Sequence, residues 1–326
     1  MTKKINLFYE FVIFAFLTVF AGIIALGGNF TCATLDGIKL WVACVLPALF
    51  PYLFITTILS SLSITAKFAK KLSPLTIFLF KTGGFTGYAF FISLISGYPL
   101  GAKTVSDLKK QNLLTDVEAV RASAFCSTSS PMFLIGSVGN VMFRSNLFGI
   151  CLFLTHVLSA FVVGLIFSFY KKNLAPEKLI YTPNQNNRTD NLLYESVYSA
   201  VISVLVVGGI ITIFYLLTEV LIQLKILSLP IDILGEIIGD KSVAECIVLG
   251  LFECTRALKS LAISKFNAFT LPIASAVCGF GGLSVIIQSI AYLKNAKIKT
   301  APFILAKIIS AVLNFIFGII ISLIIF

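Results

Sequence analysis

Long apolar runs alternate with short polar stretches along the chain, and they can be drawn at 5–26, 38–62, 83–102, 119–143, 146–170, 195–224, 243–262, 267–292 and 301–326. Each is close to the roughly 20 mostly apolar residues that a helix needs to cross a bilayer. The pattern therefore predicts an all-α polytopic membrane protein. The longest polar stretch, Lys171 to Asp190, carries Pro176, Pro183 and the run Asn184-Gln185-Asn186-Asn187. It has no periodic apolar face and reads as a solvated loop that divides the chain almost in half.

Two of the runs are interrupted at their centres, 119–143 by Cys126-Ser127-Thr128-Ser129-Ser130-Pro131 and 267–292 by Cys278-Gly279-Phe280-Gly281-Gly282. The arms left on either side are about 7 to 12 residues, or roughly 10 to 18 Å at helical rise, about half of a ~30 Å core. These two segments are expected to be re-entrant hairpins, the alternative being two kinked full-length helices. Backbone that leaves the helix at that depth must be buried in protein or line a wet cavity, because lipid satisfies none of its polar groups. Cys126 and Cys278 open matching stretches, and Lys103 and Lys259 each end a run. The expected organisation is an N-terminal transmembrane helix (1–35), a first repeat half (36–170), a cytoplasmic linker loop (171–194) and a second repeat half (195–326). With three spans plus a re-entrant hairpin in each half, the second half is inserted upside down, giving an inverted repeat with broken helices as in secondary transporters.

Composition narrows the function classes. Of 326 residues 58% are apolar, and the mean hydropathy is +1.01, which leaves little chain for an attached nucleotide-hydrolysing or signalling domain. The seven cysteines show no C-x-x-C spacing and read as small packing residues rather than disulfides or a metal site. The net charge of +11 reads as loops retained on the cytoplasmic side, not as a surface for nucleic acid. With the N-terminus inside and both interrupted runs returning to their own side, Lys81, Lys171, Lys259, Lys265 and Lys294 fall inside. Lys103, Lys109, Lys110 and Arg121 then fall outside.

Charges at membrane depth are costly and mark function by default. They are Glu219, Glu245, Glu253, Arg256 and Lys307. Glu253 and Arg256 stand three apart, so they are expected to pair on one helix face. Glu253 is the deeper, with the Thr255 hydroxyl two residues on, and is the first choice for holding a cation, a proton or a substrate hydroxyl. Gly97, Tyr98 and Pro99 end the third run, where the glycine and the missing proline donor free backbone carbonyls for a ligand. Ser127, Thr128, Ser129 and Ser130 offer four hydroxyls, each donor and acceptor, at the helix start marked by Pro131; they would serve equally to cap the two arms. Gly279, Gly281, Gly282, Ser284 and Gln288 would face the same cavity if the second hairpin forms. His156 reads as a buried neutral histidine bonded to a neighbouring helix rather than a proton relay. There is no H-E-x-x-H, no G-x-S-x-G and no phosphate loop, so no enzyme activity, catalytic residue, cofactor or metal is expected.

The runs Ser96-Gly97-Tyr98-Pro99-Leu100-Gly101-Ala102-Lys103, Ser127-Thr128-Ser129-Ser130-Pro131-Met132-Phe133, Gly250-Leu251-Phe252-Glu253 and Phe280-Gly281-Gly282-Leu283-Ser284-Val285-Ile286-Ile287-Gln288 resemble the sporulation integral membrane protein YlbJ family. That family belongs to the nucleoside recognition (Gate) domain group shared by nucleoside transporters and ferrous-iron transport proteins. The resemblance runs from about residue 36 to the C-terminus. It implies a multi-pass protein of the bacterial inner membrane, linked to assembly of the spore cortex, with an unidentified small solute. The chain departs from the family's common N-T-S-G-P at Ser127-Thr128-Ser129-Ser130-Pro131. Together these readings favour a transporter or gated permease for a small polar solute. The rival is a non-transporting scaffold that recruits spore-envelope assembly partners. The expected partners are the lipid bilayer, the solute, and a second copy of the chain or other sporulation membrane proteins.

Overall fold

The computed structural model describes residues 14, 17–25, 27, 30–61, 64–171, 191–264 and 266–326. The expected first span, 5–26, lies largely outside these residues, and the expected linker loop, 171–194, almost wholly so. Every regular element among the described residues is helical, and five helices are long and apolar enough to cross a membrane.

The first of these runs from α1 (Phe30–Leu40) through a π-helical turn (Trp41–Val45) into α2 (Leu46–Ser61). After it α3 (Ile64–Phe80) leads at 92° into α4 (Gly84–Ser96). The chain then turns at 97–99 into α5 (Leu100–Lys110). α6 (Asp116–Phe125) follows, then an interruption, the π-helical Met132–Met142, and α7 (Asn146–Phe167). After residues 172–190 comes the same order of elements: long α8 (Leu192–Gln223), short α9 (Ser228–Ile238), α10 (Lys241–Gly250) and α11 (Cys254–Leu261) joined by a turn, α12 (Thr270–Phe280) and α13 (Gly282–Asn295) joined at Gly281, and long α14 (Ala301–Ile325).

Contacts at the helix ends decide which segments fold back, and here the structure corrects the sequence reading. The backbone N–H of Gly83, just before α4, donates to Oε1 of Glu118, beyond the end of α5, at 2.6 Å. The base of α4–α5 is therefore closed, and the turn at 97–99 is the tip of a hairpin. Likewise the carboxylate of Asp240, which caps α10, accepts a hydrogen bond from the Ser264 hydroxyl, beyond α11, at 2.7 Å, and Ser242 and Ser264 share a further hydroxyl contact. So the hairpins are α4–α5 and α10–α11, read from sequence as full spans at 83–102 and 243–262. The segments 119–143 and 267–292, expected to be the hairpins, run through instead. Arg121 of α6 lies against the far end of α7 (Tyr170 O), whereas Gly139, beyond the interruption, lies against Gly149 at the near end of α7. In the same way Pro272 of α12 packs on Gly318, near the end of α14, and α13 ends beside the start of α14. Each is a broken span, as in the kinked-helix alternative, and the two arms of the first lie along opposite ends of α7.

The local chemistry fits these ends. Thr115 and Glu118 form a reciprocal capping box at the start of α6, and the spare oxygen of Glu118 closes the first hairpin. Arg121, 1% exposed, donates to the carbonyls of Lys81, Tyr170 and Lys171 at 2.5–3.2 Å. One guanidinium thus satisfies the last carbonyls of two other segments, and hydrogen bonds of this charge-assisted kind contribute about 1.5–3 kcal/mol each.

These contacts sort the cations by face. Lys81, Lys109, Arg121 and Lys171 share one face, joined by Lys294, Lys297 and Lys299 because Ser106 of α5 bonds Tyr292 O and Lys299 and Lys171 act on Asp116. Lys109 holds Asp116 at 2.7 Å and, with those lysines, keeps its carboxyl below the ordinary range. The opposite face holds Lys39, Lys259 and the 141–142 end of the first broken span, with Lys225 and Lys241. Lys103, Lys109, Lys110 and Arg121 are consequently not across the membrane from Lys171, as expected, and Lys259 is.

Candidate functional site

Four backbone interruptions meet at the centre of the molecule, and they dock in pairs. In the first pair the 97–99 tip lies against 126–130. A Cβ on Gly97, which has φ +80°, would stand 2.8 Å from Ser130 N, and one on Gly101 would stand 1.8 Å from Cys126 O. Ser93 bonds the Thr128 hydroxyl at 2.7 Å and accepts from Thr128 N at 3.2 Å. In the second pair the 251–253 tip lies against the start of α13. The N–H groups of Leu283 and Ser284 donate to Leu251 O at 2.8 Å and Phe252 O at 3.0 Å, and a Cβ on Gly282 would meet Phe252 O at 2.8 Å. Pair meets pair where Tyr98 Oη stands 3.7 Å from Cys254 Sγ.

A cavity of about 30 Å³ lies at this junction. Of the residues nominated from sequence, Gly97, Tyr98, Pro99, Ser129, Ser130, Glu253, Thr255, Ser284 and Gln288 line it. Ser127, Thr128, Gly279, Gly281 and Gly282 do not. Thr128 is held by Ser93, Gly279 packs on Ser310 and Asn314 of α14, and Gly281, at φ +81°, with Gly282, at φ +78°, makes the break itself. Val45 and Leu49 of the first span, Phe133, and Val207 and Ile211 of α8 close the walls. Nothing in sequence separates those five from ordinary packing residues.

The buried polar groups differ in what they have left to offer. Glu253 is 1% exposed and caps α11, with Oε1 accepting from Thr255 N at 3.0 Å and Oε2 from Arg256 N at 2.6 Å. A carboxylate has about four lone-pair positions, so both oxygens can still accept from the cavity. Its expected pairing with the Arg256 side chain is not formed. As a cap, Glu253 has extended backbone angles, so helix-face spacing does not apply to it. Arg256 turns to α8, bonding Glu219 at 2.7 Å, Thr218 Oγ1 at 2.7 Å and Tyr215 O at 2.8 Å. Ser130 caps the Met132–Met142 helix through Phe133 N. His156 Nε2 accepts from Ser129 N at 2.7 Å, so the ring anchors the first interruption. Oε1 of Gln288 and Oγ of Ser284, both buried, have no hydrogen-bond partner among the described residues. They are the free acceptor and hydroxyl of the cavity.

Lys307 of α14, a charge at depth in the sequence that stands outside the candidate site residues, reaches the first pair of interruptions. Its ammonium donates to Ser127 O at 3.3 Å and lies over the Tyr98 ring. Its signal was there: it is the one cation in a 25-residue apolar helix.

No protein-family model matches the chain, and no solved structure does. The chain is similar to sporulation integral membrane protein YlbJ of Bacillus subtilis (strain 168), with 27% identity over 305 residues that cover 86% of this chain and 74% of that protein. That likeness to a sporulation integral membrane protein, together with the long apolar helices among the described residues, supports the resemblance to the YlbJ family read from the sequence.

Proposed function

We propose that this protein is a secondary transporter of a small polar solute in the cytoplasmic membrane, and that it serves sporulation as its relative's name indicates. The observation that carries this reading is the meeting of four broken backbones around one cavity that the buried polar side chains of Glu253, Ser284 and Gln288 help to line. Breaks at membrane depth leave peptide groups that lipid cannot satisfy, and a fold keeps them where they handle a polar ligand. The recurring order of elements over 30–167 and 192–325, with hairpins entering from opposite faces, supports two halves related as an inverted repeat. That architecture is in keeping with the Gate domain group.

The cavities on either side favour alternating access. At about 30 Å³ the central cavity has room for about a water molecule or two, so a solute enters only if a hairpin tip moves. A cavity of about 550 Å³ opens on the lysine-rich face and ends at Leu100, next to Pro99 of the central lining. On the other face a cavity of about 350 Å³ ends at Cys44, next to Val45.

Orientation follows from the cations, since Lys and Arg gather on the cytoplasmic side. Placing Lys81, Lys109, Lys110, Arg121, Lys171 and Lys294 inside also puts the N-terminus inside if 5–26 is a span. In a background without native cysteines, Asn112→Cys and Asn295→Cys should both label only from the cytoplasm, and Lys225→Cys from outside. Opposite labelling of Asn112→Cys and Asn295→Cys would refute this topology.

The transport reading is tested with the purified protein and a panel of small polar solutes. A solute that raises the melting temperature should also be accumulated by vesicles containing the protein, and both effects should vanish when Gln288 or Ser284 is made apolar. The absence of uptake of every stabilising solute would favour the scaffold instead.

A further inference from the structure

Lys307 is 1% exposed, and an ammonium at that depth needs compensation from its surroundings. Among the described residues the ion pairs are Lys39 with Asp36, Lys109 with Asp116, Lys241 with Asp232 and Arg256 with Glu219. None involves Lys307. The titratable groups that face it are Tyr98 at the first hairpin tip, His156 of α7, Cys254 of α11 and Cys278 of α12. None of them is a carboxylate.

What compensates the charge is backbone and ring. Nζ donates to Ser127 O at 3.3 Å, and Ser127 is the first residue past the C-cap of α6. That carbonyl stands in the non-helical backbone just past the end of the half-helix, at the negative end of its dipole. Nζ also lies 5.2 Å from the centroid of the Tyr98 ring, whose face is negative. Ser127 Oγ, 7% exposed, has no partner among the described residues. On its remaining side Nζ is 3.7 Å from where a Cβ on Gly281 would stand. A non-helical carbonyl and a π face around one positive charge, with an unused hydroxyl on the residue that supplies the carbonyl, are the elements of a monovalent-cation site.

We propose that this is a cation site filled by the protein's own lysine. The Lys307 ammonium is a tethered cation that ties the first hairpin tip and the first broken span to the Gly281 break, in the place of a free sodium or potassium ion. The inference stands on these contacts alone and does not depend on whether the protein transports. It follows that the native protein needs no alkali cation, and that removing the lysine side chain leaves a vacancy able to bind one.

The test is the melting temperature of the purified full-length chain in choline chloride, with NaCl or KCl substituted at constant ionic strength. The native protein should melt within a degree in all three salts. Lys307→Ala should melt lower in choline by about 5 °C or more and regain at least half of that loss, saturably, in Na⁺ or K⁺. Lys307→Met, which fills the space without charge, should stay low in every salt. Saturable stabilisation of the native protein by Na⁺ or K⁺, an equal response of Lys307→Ala to choline and alkali salts, or native-like melting of Lys307→Met would each overturn the assignment. Should Lys307→Ala be recovered folded only from preparations in Na⁺ or K⁺, the proposal is supported; failure in all salts while Lys307→Met folds overturns it.

Discussion

Gln288→Leu is expected to leave the fold at least as stable as the native one and to abolish function. Gln288 is 5% exposed on α13, lines the central cavity, and has no partner for its Oε1. A buried amide left unpaired costs about 1–3 kcal/mol, and an apolar side chain of similar size removes that cost. The melting temperature should therefore hold or rise by a few degrees. If the amide binds solute, losing one hydrogen bond of about 1.4 kcal/mol lowers solute affinity roughly tenfold, and the apolar replacement bars a polar ligand further. Sporulation of a strain carrying only the variant should fall accordingly, and uptake with it. The scaffold alternative predicts the opposite pairing, a stabilised protein with full sporulation, because a scaffold has no use for an unpaired amide in its centre. Groups that break the rules of stable burial are expected where function requires them, so Ser284→Ala should show the same pattern more weakly.

The apolar runs and their interruptions were legible because each depends on local composition. Broken backbone needs glycine, proline or competing hydroxyls, and Gly97, Pro99, the 127–130 serines and threonine, and Gly281 all stand at real breaks. The same logic brought Ser129, Ser130, Glu253, Ser284 and Gln288 to one cavity. What composition did not encode was the angle across each break. The run 243–262 is centred on its tip and joins two half-depth arms, and 83–102 joins one arm to its tip and the apolar start of the next, so each has the length and apolarity of a crossing. The deciding interactions were between residues far apart in the chain, Gly83 with Glu118 and Asp240 with Ser264. One local clue existed: α5, with Lys103, Asp107, Lys109 and Lys110 in 11 residues, is too polar for a lipid-facing arm. The Glu253 and Arg256 pairing failed for a related reason, because spacing rules hold only inside a helix and Glu253 is the residue before one.

Gly101→Ala should be among the most damaging single-methyl additions in the protein, although alanine is the better helix former by about 1 kcal/mol. Gly101 lies inside α5, where its added Cβ would fall 1.8 Å from Cys126 O, 2.5 Å from Ser93 Oγ and 2.8 Å from Cys126 C. The nearest obstacle is backbone, which cannot rotate away as a side chain can. Relieving the clash means moving the first hairpin off the 126–130 interruption by more than an ångström. Overpacking of this kind costs about 1–3 kcal/mol or more, and it would also open the contact between Ser93 and Thr128 that holds the pair together. The melting temperature should drop by at least several degrees, and function should be lost even where folded protein is recovered. Gly209 of α8 supplies the internal control, since nothing lies within 4 Å of its Cβ position. Gly209→Ala should be neutral or stabilising, by up to about 1 kcal/mol. Two identical changes in two helices thus carry opposite expected signs, and equal melting temperatures for the two variants would show that the first hairpin is not seated on the broken span as described. The second glycine of the Ser96-to-Lys103 run is thus a requirement of docking, distinct from the first, Gly97, whose positive φ makes the tip.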